Sequence, residues 1–162
     1  MGLLHRSAEG LATGLGIIWL WSAVAKITDY DNFLSTLRAH GVLFGFGLKL
    51  AESVPALEAV LGLMLVATAG GMSVSCEPRR SLGRIVLALS AGLLIVFIFY
   101  LLRVPDEALR SAGCGCHGGP ASVSQSEGSL RRQAVVQNVI TLLMHGLAFG
   151  LGSRTDSNIP TR

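Results

Sequence analysis

The sequence IVLALSAGLLIVFIFYLL, at residues 85–102, contains no charged side chain. A helix needs roughly 20 predominantly apolar residues to cross the hydrocarbon of a bilayer, and this stretch approaches that length. Three more stretches of similar character lie at residues 10–25, 55–72 and 134–151. The sequence therefore predicts four transmembrane helices.

The composition of the whole chain agrees with a membrane protein. Hydrophobic residues make up 51% of the 162 positions and charged residues only 14%, and the mean hydropathy is +0.57, which excludes an ordinary soluble domain. Helices are expected because unpaired backbone groups are costly in lipid and these runs lack the alternation of a β-barrel. We predict one all-α membrane domain over residues 1–162, a four-transmembrane-helix bundle with the N and C termini on the same side.

The first span has two interpretations. Arg6, the apolar stretch and the triplet Ala23-Val24-Ala25 match the outline of a cleaved signal peptide. Trp19 and Trp21, however, lie where an aromatic belt is expected, and three further spans follow. We favour a retained first helix.

Pairs of small residues one turn apart occur in three of the spans. Such pairs let helix backbones approach closely in a membrane. We therefore expect helix contacts at Gly10 and Gly14, at Ala88 and Gly92, and at Gly146 and Gly150.

Four spans place alternate connections on opposite faces of the membrane. Lys26, Glu58, Cys114 and Cys116 then share one face, and both termini lie on the other face together with Cys76. Parity alone does not say which compartment each face meets.

Basic residues give the predicted orientation, because they favour the cytoplasm. Arg79, Arg80 and Arg84 follow the second span and indicate cytoplasmic termini, whereas Arg131 and Arg132 argue for the opposite orientation. We predict an inner-membrane protein with cytoplasmic termini and a periplasmic cysteine loop, where thiols can oxidise.

Cys114-Gly115-Cys116-His117 lies in a loop rich in Gly and Ser between the last two spans. A disulfide between residues two apart closes a small ring, and strain makes such a bond easier to reduce. His117 can favour the reactive thiolate. Three soft ligands also permit metal binding, although the spacing does not match a closed zinc site, and inert thiols are a third interpretation.

Glu58 is a carboxylate within a span, and Lys26 on the same face is its natural partner. An ionisable residue in a membrane helix is by default a functional hypothesis. The pair either fixes the first two helices structurally or handles protons for thiol or quinone chemistry.

Two further patterns predict local structure. A helix is expected after Asp31 in the first loop, packing Phe33, Leu34 and Leu37 over the bundle mouth and ending at Gly41. In the fourth span a polar stripe should face the bundle interior, where interhelical hydrogen bonds or a quinone or metal pocket would explain it: Gln137, Asn138, Thr141 and His145.

Three motifs resemble the DoxX/MauE group of membrane proteins. Trp21-Ser22-Ala23-Val24-Ala25-Lys26, with Asp29 and Phe33, is similar to its Trp-Ser-Gly-x-x-Lys opening. Pro55-Ala56-Leu57-Glu58 and Gly62 resemble its Pro-x-x-Glu-x-x-x-Gly helix, and Cys114-Gly115-Cys116 with Gly118 resembles the Cys-Gly-Cys-Phe-Gly signature of MauE. His117 departs from the Phe of that signature.

The resemblance implies a role in methylamine metabolism, in which a four-span inner-membrane protein helps to form disulfides in the small subunit of methylamine dehydrogenase. It implies Cys114 and Cys116 as catalytic residues, supported by Lys26 and Glu58. His117 is a further candidate for a supporting role, but it rests on its position beside the thiols and not on the resemblance. The expected partners are the lipid bilayer, a thioredoxin-like protein and an exported client, and no nucleic acid. No definite cofactor is predicted, and quinone is left open as one option for the electron sink. The alternative is a non-enzymatic membrane subunit that binds a partner or metal through the Cys-Gly-Cys-His loop.

Overall fold

The computed structural model describes residues 2–69, 77–112 and 127–154, and every regular element in these ranges is a helix. Three shorter helices lie in the connections between the four long ones. In chain order they are α1 (Gly2–Thr28), α2 (Tyr30–His40), α3 (Phe46–Glu52), α4 (Val54–Ala69), α5 (Glu77–Arg103), α6 (Asp106–Ala112) and α7 (Glu127–Arg154).

The four long helices pack in a ring in the order α1, α4, α5 and α7, and the contact between α1 and α4 is the most extensive. Neighbours in sequence order run antiparallel. Lys26 in the last turn of α1 meets Glu58 near the start of α4, and Arg131 near the start of α7 meets Val104 just after α5. We call this end of the ring, which also carries α2, α3 and α6, the α2 end.

The interior and the outer surface of the ring are both apolar. Leucine and valine side chains from α1, α4 and α5 form the core, with Ala148 from α7. Leu63, Phe99 and Leu143 are among the many large apolar side chains left exposed on the outside. An apolar surface of this extent is stable against lipid and unfavourable against water.

Three helices are long and apolar enough to cross a membrane: Arg6–Thr28, Ser81–Arg103 and Arg131–Leu151. The fourth apolar helix, Val54–Ala69, has 16 residues, which at about 1.5 Å per residue falls short of a hydrocarbon layer of about 30 Å. Residues 70–72 of the second predicted span lie outside the described residues. The protein is thus an all-α membrane protein, and its described residues contain three helices of membrane-spanning length and one shorter apolar helix.

The closest helix contact uses glycines other than those predicted. A Cβ on Gly16 would lie 2.8 Å from the carbonyl oxygen of Gly62, and a Cβ on Gly62 would lie 2.9 Å from that of Gly16. No atom of the described residues lies within 4 Å of the corresponding positions on Gly10, Gly14, Gly92, Gly146 and Gly150. The prediction for these glycines is wrong because spacing identifies small residues without saying which helix face carries the contact.

The aromatic-belt interpretation is wrong for Trp19. Its side chain is 3% exposed and its ring lies 6.5 Å from that of Phe97, whereas Trp21 is 71% exposed. Positions two apart on a helix point in nearly opposite directions, so only one of the two can face lipid.

Helix α2 confirms the helix predicted in the first loop, although it begins at Tyr30. Phe33 and Leu37 lie on its buried face. Gly41 ends the helix with a φ of 64°, a left-handed conformation that glycine adopts without strain. Helix α6 was not predicted, because the stretch that forms it lacks apolar periodicity.

Candidate functional site

Lys26 and Glu58 form an ion pair inside the ring. The Nζ atom of Lys26 donates to both carboxylate oxygens of Glu58, at 2.9 and 2.8 Å, and to Ser22 Oγ at 2.5 Å. It also lies 5.9 Å from the ring centroid of Phe97. Lys26 is 5% exposed and Glu58 is 0% exposed, so the predicted pairing is confirmed and its position is buried.

A second polar pair joins α2 to α5. His40 Nδ1 and the hydroxyl of Tyr100 lie 2.6 Å apart and share a hydrogen bond whose direction depends on the histidine tautomer. The sequence analysis missed both residues. His40 follows Phe33 and Leu37 at helical spacing on the buried face of α2, which could have identified it, but Tyr100 lies in an apolar run that gives no such signal.

Both pairs lie on the wall of one cavity, which we call the α2 cavity. Its volume is about 730 Å³, and all four long helices together with α2 and α3 contribute to its wall. Most of the wall is apolar, with polar positions that include Ser22, Lys26, His40, Glu58 and Tyr100. The buried face of α2 therefore packs over the bundle and also forms part of the wall of the α2 cavity.

The polar stripe of α7 is only partly on this wall. Gln137, Asn138 and Thr141 line the α2 cavity, whereas His145 does not; its side chain is buried. Asn138, Thr141 and His145 each bond to a carbonyl of α7 four residues earlier. Interhelical bonds are therefore not needed for the atoms that make these bonds, because a polar side chain in a helix can bond to the preceding turn. His145 Nε2 has no partner among the described residues.

Cys114, Cys116 and His117 lie outside the described residues, as does Cys76. The described helices on either side are nevertheless informative. Helix α6 ends at Ala112, two positions before Cys114. Its residue Asp106 forms an ion pair with Arg131 of α7, in which a carboxylate oxygen and a guanidinium nitrogen lie 2.8 Å apart. The elements that flank the cysteine segment are thus held together at the α2 end.

The described residues offer no second site for metal chemistry. Within residues 2–69, 77–112 and 127–154, no group of three or more His, Cys, Asp or Glu side chains is placed to hold a metal ion. A metal hypothesis consequently depends on the Cys-Gly-Cys-His segment itself.

A protein-family model described as "Methylamine utilisation protein MauE" matches residues 4–152. No curated protein and no solved structure matches the chain. The matched range is continuous from α1 to α7 and contains the Lys26–Glu58 pair as well as both loop cysteines.

Proposed function

Because the chain belongs to the MauE family, we propose that it is a thiol–disulfide redox or maturation factor that assists disulfide formation in an exported client. The match over residues 4–152, which contains Lys26, Glu58, Cys114 and Cys116, carries this proposal. The family description directs attention to methylamine utilisation, with the dehydrogenase small subunit as the first client to test and a thioredoxin-like protein as partner.

The proposed topology has four spans, with α4 as the short one. Its support is the position of α4 in the ring between α1 and α5, and its buried pairing with Lys26. The proposed location is the inner membrane with cytoplasmic termini, supported by Arg79, Arg80 and Arg84. The cysteine segment then belongs to the periplasmic α2 end.

The proposed exchange transfers two electrons from the client to Cys114 and Cys116. A client thiolate attacks one sulfur of their disulfide, and a mixed disulfide forms as the other sulfur leaves as a thiolate. The second client thiolate then attacks the client sulfur of the mixed disulfide, and the cysteine of this chain leaves as a thiolate. The client now holds a disulfide, and Cys114 and Cys116 are both reduced. His117 supports this chemistry by favouring the thiolate forms.

The test is the disulfide content of the client in cells that carry the double variant Cys114→Ser, Cys116→Ser. We expect client thiols to be trapped as reduced in this variant and as oxidised with the wild type. Cys76→Ser is the matched control, since it removes a thiol from the opposite end of the proposed topology, and it should leave the client oxidised. Full client oxidation in the double variant would reject the redox function, and stoichiometric metal lost from that same variant would favour the metal-binding subunit.

A further inference from the structure

The α2 cavity has the dimensions of a small-molecule site. Its volume of about 730 Å³ lies within the roughly 300–1,000 Å³ that is usual for such sites, which are mostly apolar with a few placed polar groups. Phe33, Leu94 and Phe97 belong to its apolar wall, and Tyr100 and His40 to its polar part. This combination suits an apolar molecule with a small polar head.

The cavity wall includes side chains on the lipid-facing surface of the ring. Ile17, Trp21 and Val96 all line the cavity, and they are 57%, 71% and 60% exposed. Because the protein surface at these positions faces lipid, a molecule dissolved in the bilayer can reach the cavity without crossing water. The occupant should therefore be lipid-soluble.

Trp19 supplies an independent indication of the occupant's chemistry. Its side chain belongs to the cavity wall and is 3% exposed, and its Nε1–H has no hydrogen-bond partner among the described residues. A buried donor left without an acceptor is unfavourable, and buried indole N–H groups usually find one. A saturated acyl chain has no acceptor to offer, whereas a carbonyl oxygen does.

We propose that the α2 cavity binds the head group of a lipid-soluble quinone. The quinone ring is planar and apolar on its faces, which suits the aromatic wall of Trp19 and Phe97, and its two carbonyl oxygens can accept hydrogen bonds. Trp19 Nε1, which neighbouring atoms cover in the structure, becomes one donor when the entering quinone displaces them. The hydrogen-bonded pair of His40 and Tyr100 on the same wall is a second polar contact. The isoprenoid tail leaves past Ile17 and Val96 into lipid.

This proposal rests on the proposed function and deepens it by naming the electron acceptor. Oxidation of Cys114 and Cys116 from two thiols to one disulfide releases two electrons and two protons. Reduction of one quinone to one quinol takes up the same two electrons and two protons, so the exchange balances with no further reactant.

The experiment is a binding titration of decylubiquinone against the full chain in lipid nanodiscs, corrected for partition into empty nanodiscs. We expect saturable binding with one quinone per protein. Trp19→Phe and Tyr100→Phe each remove one polar contact and should weaken binding about threefold to tenfold. Tyr30→Phe is the matched control for Tyr100→Phe, because Tyr30 is not part of the cavity wall and its hydroxyl bonds to Glu52 O instead, and it should bind as the wild type does.

Two results would overturn the proposal. One is the absence of saturable decylubiquinone binding above the level of empty nanodiscs. A cavity that holds a phospholipid which decylubiquinone does not displace would give this same result. The other is an equal loss of affinity in Tyr100→Phe and Tyr30→Phe, a comparison that remains decisive if Trp19→Phe does not fold. The titration is repeated on the double variant Cys114→Ser, Cys116→Ser, which should still bind quinone. If the wild type binds quinone but does not oxidise the client, the redox function fails and the quinone site stands; if it oxidises the client without binding quinone, the quinone site fails alone.

Discussion

At the scale of single residues, the Lys26–Glu58 pair is the most constrained feature. Removing two charges from water is costly, and only good geometry with further bonds compensates for that cost. Here Ser22 Oγ accepts from Lys26 and the Phe97 ring faces the ammonium. Such a pair can be retained either for structure or for proton transfer, and variants of the two residues separate these roles.

Replacing one partner alone should destabilise the protein strongly. Lys26→Met leaves the Glu58 carboxylate buried without its cation, and Glu58→Leu leaves the Lys26 ammonium without its anion. We expect each to lower the free energy of unfolding by about 3–5 kcal/mol. The double variant Lys26→Met, Glu58→Leu should recover much of that loss, as measured by thermal unfolding in one detergent.

The exposed ion pair between Arg38 and Glu52, at 3.9 Å, is the matched control. Arg38→Met should change stability by less than about 1 kcal/mol, since exposed pairs contribute little. If the Lys26→Met, Glu58→Leu protein is stable and also fully oxidises the client, the pair is structural. A stable double variant without client oxidation assigns it to proton handling instead, and loss no larger than that of Arg38→Met would contradict the buried-pair argument.

At the scale of helices, the contact of α1 with α4 depends on Gly16 and Gly62. Each lies so close to the opposite backbone that a side chain has no room, with the Gly62 carbonyl oxygen 2.8 Å from a Cβ on Gly16. A backbone atom cannot rotate away as the end of a flexible side chain can. The two helices must therefore separate if either residue is enlarged, and this separation would also disturb the Lys26–Glu58 pair.

Gly16→Ala should lower the free energy of unfolding by about 1–3 kcal/mol, the usual cost of overpacking. Gly14→Ala is the control in the same helix, because its Cβ position has no neighbour within 4 Å in the part of the chain that the structure describes. Alanine has the higher helix propensity, by roughly 1 kcal/mol in a soluble helix, so this control should be neutral or slightly stabilising. Equal melting temperatures for the two variants would argue against the close contact.

At the scale of the whole molecule, antiparallel packing brings the C-terminal ends of α1 and α5 to the N-terminal ends of α4 and α7. The α2 cavity and the helices that flank the cysteine segment share that end. We therefore propose that the chemistry at Cys114 and Cys116 takes place on the same side of the membrane as binding in the cavity. Labelling of the thiols from outside the cell tests on which side they lie.

Cys114 and Cys116 should react with a membrane-impermeant maleimide in intact cells, and Cys76 should not. Single-cysteine variants report each position separately, because the chain has three cysteines. In the wild type we expect labelling of the loop pair only after reduction, which would reveal its disulfide. Labelling of Cys114 and Cys116 only after the membrane is permeabilised would contradict the proposed orientation.

The sequence alone determined the features that depend on composition and chain order. Long apolar runs are expelled from water wherever they occur, so the helical membrane class and the positions of the apolar helices followed from the sequence. Parity brought Lys26 and Glu58 to one end, where the structure pairs them. Gly41 predicted the end of α2 because a left-handed cap favours glycine.

Only the tertiary structure decided how each helix is rotated about its axis. Lipid tails are as apolar as leucine, so the pattern of apolar residues does not separate a face that meets lipid from one that meets another helix. Trp19 is consequently in the core with Trp21 outside, and Gly16 rather than Gly14 meets α4. The α2 cavity follows from the same packing. This packing brings His40 and Tyr100, which are 60 positions apart in the chain, together on the cavity wall, with 2.6 Å between His40 Nδ1 and the Tyr100 hydroxyl.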